Sequence, residues 1–63
     1  MVTRNYILPI GDTLTALHDE IVERIPCFTH IFNNEDGTVT LTVDCRAEDV
    51  GFVDRTLAPY LIF

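Results

Sequence analysis

Cys27-Phe28-Thr29-His30 sets a thiol three residues before an imidazole, and Cys45 supplies a second thiol further along the chain. Zinc accepts all three side chains, but a structural site takes four ligands and the fourth is missing. The segment also reads as extended, and residues three apart on a strand point to opposite faces. No metal site is expected; His30 reads as a strand residue between Phe28 and Phe32 at the margin of the core. His18 stands beside Asp19 and Glu20, where a proton shuttle is conceivable. Neighbouring helical residues diverge, however, and no nucleophile is spaced to meet it, so it reads as a boundary histidine.

The carboxylates Asp19, Glu20, Glu23, Glu48, Asp49 and Asp54 fall mostly on the solvent faces of expected helices. Paired catalytic acids need a cleft that perturbs their pKa values, and a chain of 63 residues has little room for one. No catalytic residue and no cofactor are expected. A serine triad pattern, a Gly-rich phosphate loop and internal repeats are all absent from the sequence.

Four basic against ten acidic residues give a formal charge of −6. Phosphate backbones are bound by Lys and Arg displacing counterions, so nucleic acid and anionic membranes are not expected as partners. An acidic surface instead keeps copies apart or attracts a basic patch on another protein. The N-terminal residues lack the basic region and apolar run of a signal peptide, and no stretch approaches a membrane span. The chain is expected to be cytosolic, with Cys27 and Cys45 as reduced thiols.

The elements that would position these residues read clearly in places. "RNYILPI", residues 4–10, is a first strand with Tyr6, Leu8 and Ile10 on one face; Pro9 belongs at its end or on an unpaired side. Asp12 is expected to cap a helix in which Leu14, Leu17, Ile21 and Ile25 recur at helical spacing. Glu20 and Arg24 stand four apart in the favourable order, and Pro26 stops the helix. A second helix is expected over residues 47–57, with Glu48 and Asp49 in its first turn and Val50, Val53 and Leu57 on one stripe. Phe52 falls off that stripe, which makes it a candidate for contact outside the core. After Pro59, "YLIF" reads as a short final strand.

Between the helices, "CFTHIFN" and "TVTLTVDC" flank "NEDG", a hairpin signal because Asp-Gly tolerates positive φ. The second run alternates, with Val39, Leu41, Val43 and Cys45 on one face and threonines and Asp44 on the other. A loop of two or four residues puts Phe28 and Phe32 on the core face and separates the cysteines. A loop of three puts Cys27 opposite Cys45 and turns both phenylalanines to the threonine face. The first register is expected, since exposing two Phe side chains forgoes about 1.5–3 kcal/mol each.

The whole forms one α+β domain, residues 1–63, in the order β-α-β-β-α-β. That order resembles the small ferredoxin-like domains, which implies an antiparallel sheet with both helices on one face and the last strand beside the first. The terminal segment then pairs with residues 4–10, or else with a second copy of the chain. Within this group, copper-chaperone-like domains carry Cys-x-x-Cys before the first helix, where this chain reads "PIGDTL". Tautomerases of similar length use an N-terminal proline, where this chain has Met1-Val2. ACT-type regulatory domains are similar in having a glycine before the first helix, here Gly11. That resemblance implies a small-ligand site at Gly11 and Asp12 beside a dimer interface.

A domain this small buries only about 60% of its unfolded surface, so 48% hydrophobic residues without a disulfide framework point to a partner subunit. The leading expectation is a non-enzymatic protein-interaction module, a homodimer that binds another protein through Phe52, Ile31 and Tyr60 within an acidic surface that includes Asp19 and Glu23. A small acidic inhibitor or adaptor of phage type fits that description, and the ACT-like ligand-binding domain is the alternative.

Overall fold

Strict alternation makes residues 38–45 the centre of the fold. In the computed structural model, which describes residues 1–62, strand β3 (Thr38–Cys45) buries Val39, Leu41, Val43 and Cys45 and leaves the intervening threonines and Asp44 half-buried. Both neighbours pair with it antiparallel: β1 (Val2–Pro9) on one side and β2 (Cys27–Asn33) on the other, in the order β1-β3-β2. Tyr6 and Leu8 sit opposite Leu41 and Val39, so the apolar faces of β1 and β3 coincide.

Two helices cover that face. Helix α1 (Asp12–Arg24) is capped one residue earlier than expected: Gly11 occupies the N-cap position with φ 154°, a conformation that side chains disfavour, and Asp12 lies inside the first turn. Of the expected stripe, Ile21 is fully buried while Leu14, Leu17 and Ile25 pack at its margin. The Glu20 carboxylate takes the Arg24 guanidinium at 2.9 Å. Helix α2 (Val50–Leu57) follows a 3-10 turn at Ala47–Asp49 and buries Val53 and Leu57. His18 Nε2 meets Thr29 Oγ1 at 2.7 Å, tying α1 to β2, and the Tyr6 hydroxyl donates to Asp54, tying β1 to α2.

Two further expectations require correction. Tyr60, the first residue of the expected final strand, instead closes a second 3-10 turn, Ala58–Tyr60, because Pro59 supplies a helical φ near the start of the turn. Leu61 turns extended, and the Ile62 N–H donates to the Ile7 carbonyl at 3.2 Å. Ile62 is therefore bonded beside β1, but among the described residues the sheet has three strands; Phe63, the last residue of the expected strand, lies outside them.

The second correction is the hairpin. Cys27 pairs with Cys45, Phe28 with Asp44 and Phe32 with Thr40. The loop has three residues, 35–37, with φ 65° at Glu35 and 90° at Gly37. Local side chains hold it there: Asn33 Oδ1 accepts the Glu35 N–H at 2.8 Å, and the Asp36 carboxylate accepts the Thr38 N–H at 3.0 Å. Phe28 and Phe32 consequently leave the core face and Cys27 joins it.

Candidate functional site

The register decides which backbone groups of β2 are already used. Asn34 N–H donates to the Thr38 carbonyl at 3.1 Å, which marks these two as a hydrogen-bonded pair. Such pairs alternate along an antiparallel ladder. Phe32, His30 and Phe28 therefore bond to β3, and the N–H and C=O groups of Cys27, Thr29, Ile31 and Asn33 face away from it. No strand among the described residues lies beyond them.

Most side chains of the same strand are uncovered as well, Cys27 and Thr29 being half-buried. Phe28 is 70% exposed and Phe32 60% exposed, with His30 exposed between them on the face away from the helices; Ile31, on the helical side, is 43% exposed. β2 carries no Asp, Glu, Lys or Arg in a chain of net charge −6. The open face next to it is polar: Thr42 donates to Asn5 at 2.8 Å and Thr3 donates to Asp44. An aromatic row on a bare, uncharged strand edge can add a further strand by main-chain bonding and bury the rings in the same act.

The residues expected to make contacts are scattered. Phe52 is half-buried against the core rather than free. Ile31 belongs to the β2 edge, whereas Tyr60, 43% exposed, sits in the turn that leads to β1 at the opposite edge. Asp19 and Glu23 are exposed on α1, and Asp19 is 3.3 Å from His18 Nδ1. Phe28 and Phe32 were missed because their hydrophobicity argued for burial. The signal for the other register was the Asn33 and Asp36 pair, whose short side chains favour bonding to the backbone two residues on.

Chemistry beyond contact is sparse. Gly11 and Asp12 form the start of α1, where Ile10 N–H reaches the Gly37 carbonyl at 3.2 Å. A half-open depression of ≈ 140 Å³ lies elsewhere, against Asn5, Tyr6, Ile7 and Leu61, and it is smaller than ligand pockets usually are. No cluster of three His, Cys, Asp or Glu able to hold a metal occurs among the described residues. No helix among them is long and apolar enough to cross a membrane.

Three ionisable side chains are displaced from their ordinary behaviour on the helical side of the sheet. Burial, then the bond to Asp54, raises the Tyr6 pKa strongly. Burial also raises both thiols; Cys27 feels Cys45 and Asp49 in addition, and Cys45 feels Asp49 and Asp44. Cys27 is half-buried and Cys45 fully buried, and both are free.

Comparison of the chain with protein-family models, with curated proteins and with solved structures returned no match.

Proposed function

We propose that this chain is a protein-interaction module that works through the outer edge of β2, and that its first partner there is a second copy of itself. The carrying observation is the pair Phe28 and Phe32 standing 70% and 60% exposed on an unguarded edge strand. Sheet edges are ordinarily protected by charge, proline or a covering segment; β2 has no charge or proline, and no segment covers it among the described residues.

The strand is complementary to its own copy. Antiparallel pairing centred on His30 sets Thr29 of each copy against Ile31 of the other, and Cys27 against Asn33. These are the residues whose backbone groups already point outward. The same register sets Phe28 of each copy against Phe32 of the other in non-hydrogen-bonded positions, where cross-strand side chains approach most closely and an aromatic pair contributes about 0.2–1 kcal/mol. The two-fold axis runs through the sheet, so the helices of both copies share one side. Asp19 and Glu23 then recur on that side as an acidic surface suited to a basic protein, the role of an adaptor or inhibitor. In topology the reading is a ferredoxin-like plan with a rudimentary fourth strand, supported by the order β1-β3-β2 and by Ile62 bonding beside β1.

Salt separates this reading from a purely electrostatic one. Two copies of charge −6 repel at a distance, while the strand at the contact is uncharged. Screening therefore strengthens the dimer, whereas it weakens attachment of a basic partner. Sedimentation equilibrium over a concentration series at low and high salt is expected to show a dimer that tightens as salt rises. A monomer at every concentration and salt level overturns the proposal.

A further inference from the structure

Cys27 and Cys45 stand directly opposite each other on adjacent antiparallel strands. The pairing that begins with Asn34 and Thr38 makes every second pair hydrogen-bonded, so 27 and 45 form a non-hydrogen-bonded pair, for which the Cα separation is about 4.5 Å. Disulfides span Cα separations of about 4.4–6.8 Å. Both side chains lie on the helical face, both are thiols, and Cys45 is among the groups that Cys27 senses electrostatically.

We infer that Cys27 and Cys45 are a dithiol switch that closes to a cross-strand disulfide in the presence of a small-molecule disulfide such as oxidised glutathione. Cys27, the more accessible thiol, loses its proton to solvent, and its thiolate attacks one glutathione sulfur. A mixed disulfide forms and one glutathione leaves as thiolate. Cys45, deprotonated in turn, attacks the Cys27 sulfur and expels the second glutathione. Two protein thiols are oxidised to one disulfide and one glutathione disulfide is reduced to two thiols. Closure fastens the start of β2 to the end of β3, and so fixes the register that exposes Phe28 and Phe32. Because burial and Asp49 hold both thiols protonated, the exchange is slow at neutral pH and accelerates as pH rises.

The test is incubation of the whole chain with excess oxidised glutathione, read by intact mass under non-reducing conditions and by thermal unfolding. The expected product is a single chain lighter by two hydrogens, without bound glutathione, whose Tm is higher by on the order of 10 °C, since the bridge closes a loop of moderate length. Dithiothreitol should reverse both changes. Cys45→Ser should stop at the mixed disulfide on Cys27; because that variant alters a buried position, Cys27→Ser serves as the second, and it should gain no bridge and no increase in Tm. Persistence of the Cys27 glutathione adduct in the unaltered chain, or a disulfide only between chains, overturns the inference.

Discussion

The two outer strands of this sheet are treated in opposite ways. β1 carries Arg4 and ends in Pro9, whose missing N–H falls on the outward side and deprives β3 of nothing. Its outward Ile7 carbonyl already accepts the Ile62 N–H, and Leu61 packs against the core below it. β2 has no proline, no charge and no covering segment among the described residues, and it adds two exposed phenylalanines. One edge is closed by the chain's own end and the other is left to bond. In the proposed dimer, protection of β1 makes pairing through β2 specific, since a sheet with two bare edges polymerises instead of forming a closed pair.

The most disruptive test of that contrast introduces charge where β2 is neutral. Phe28→Asp with Phe32→Asp should weaken self-association at least about 100-fold, because each ring gives up burial on the order of 1.5–3 kcal/mol and like charges then face each other across the axis. The monomer should keep its fold, because neither ring belongs to the core; circular dichroism and sedimentation measured together check both halves. Proline scanning sharpens the distinction. At Ile31 the N–H points outward, so Ile31→Pro should reduce association about tenfold or more with little loss of monomer stability. At His30 the N–H bonds to β3, and His30→Pro should cost the monomer about 3 kcal/mol.

The β1 side responds instead to its tie with α2. Tyr6→Phe removes the hydroxyl that donates to Asp54 and should lower stability by about 1 kcal/mol without touching association. Its pH signature has a definite sign. Tyr6 holds its proton more tightly folded than unfolded, so the contribution is whole below the ordinary phenol value of 10.0 and drains as pH rises beyond it. The raised thiols act in the same direction from about 9.0 upward. Denaturant titrations should therefore show stability falling from pH 9 upward, more gently in Tyr6→Phe.

How far the sequence carried this picture differs by element. The helices were legible because period and punctuation agree: Ile21 and Val53 lie where their stripes put them, and Pro26 ends α1 on schedule. β3 was legible from its alternation. β2 was not, because a period of two fixes which residues share a face and leaves open which face is inward. The choice lay in a loop of three residues held by Asn33 and Asp36, which outweighed the pull of two rings toward the core. The proposed interaction edge follows from that one step of register. The alternative that holds both that edge and the cysteine pair was open in the sequence and was set aside on the argument from Phe burial.

The smallest expected effect tests the closed edge. Ile62→Pro deletes the N–H that bonds the Ile7 carbonyl, and Leu61 already has the extended backbone (φ −67°, ψ 141°) that a following proline requires. The loss is then one partly exposed hydrogen bond, about 0.5–1 kcal/mol. If the end of the chain protects β1, its release should show less in the melting curve than in behaviour at high concentration: Ile62→Pro should shift the species beyond the dimer towards open chains, visible as a weight-average mass that keeps rising in sedimentation. Combined with Ile31→Pro, which blocks the β2 edge, that growth should stop at a pair joined through β1. A dimer unchanged by Ile62→Pro at every concentration means that Pro9 and Arg4 guard β1 without help from the terminal residues.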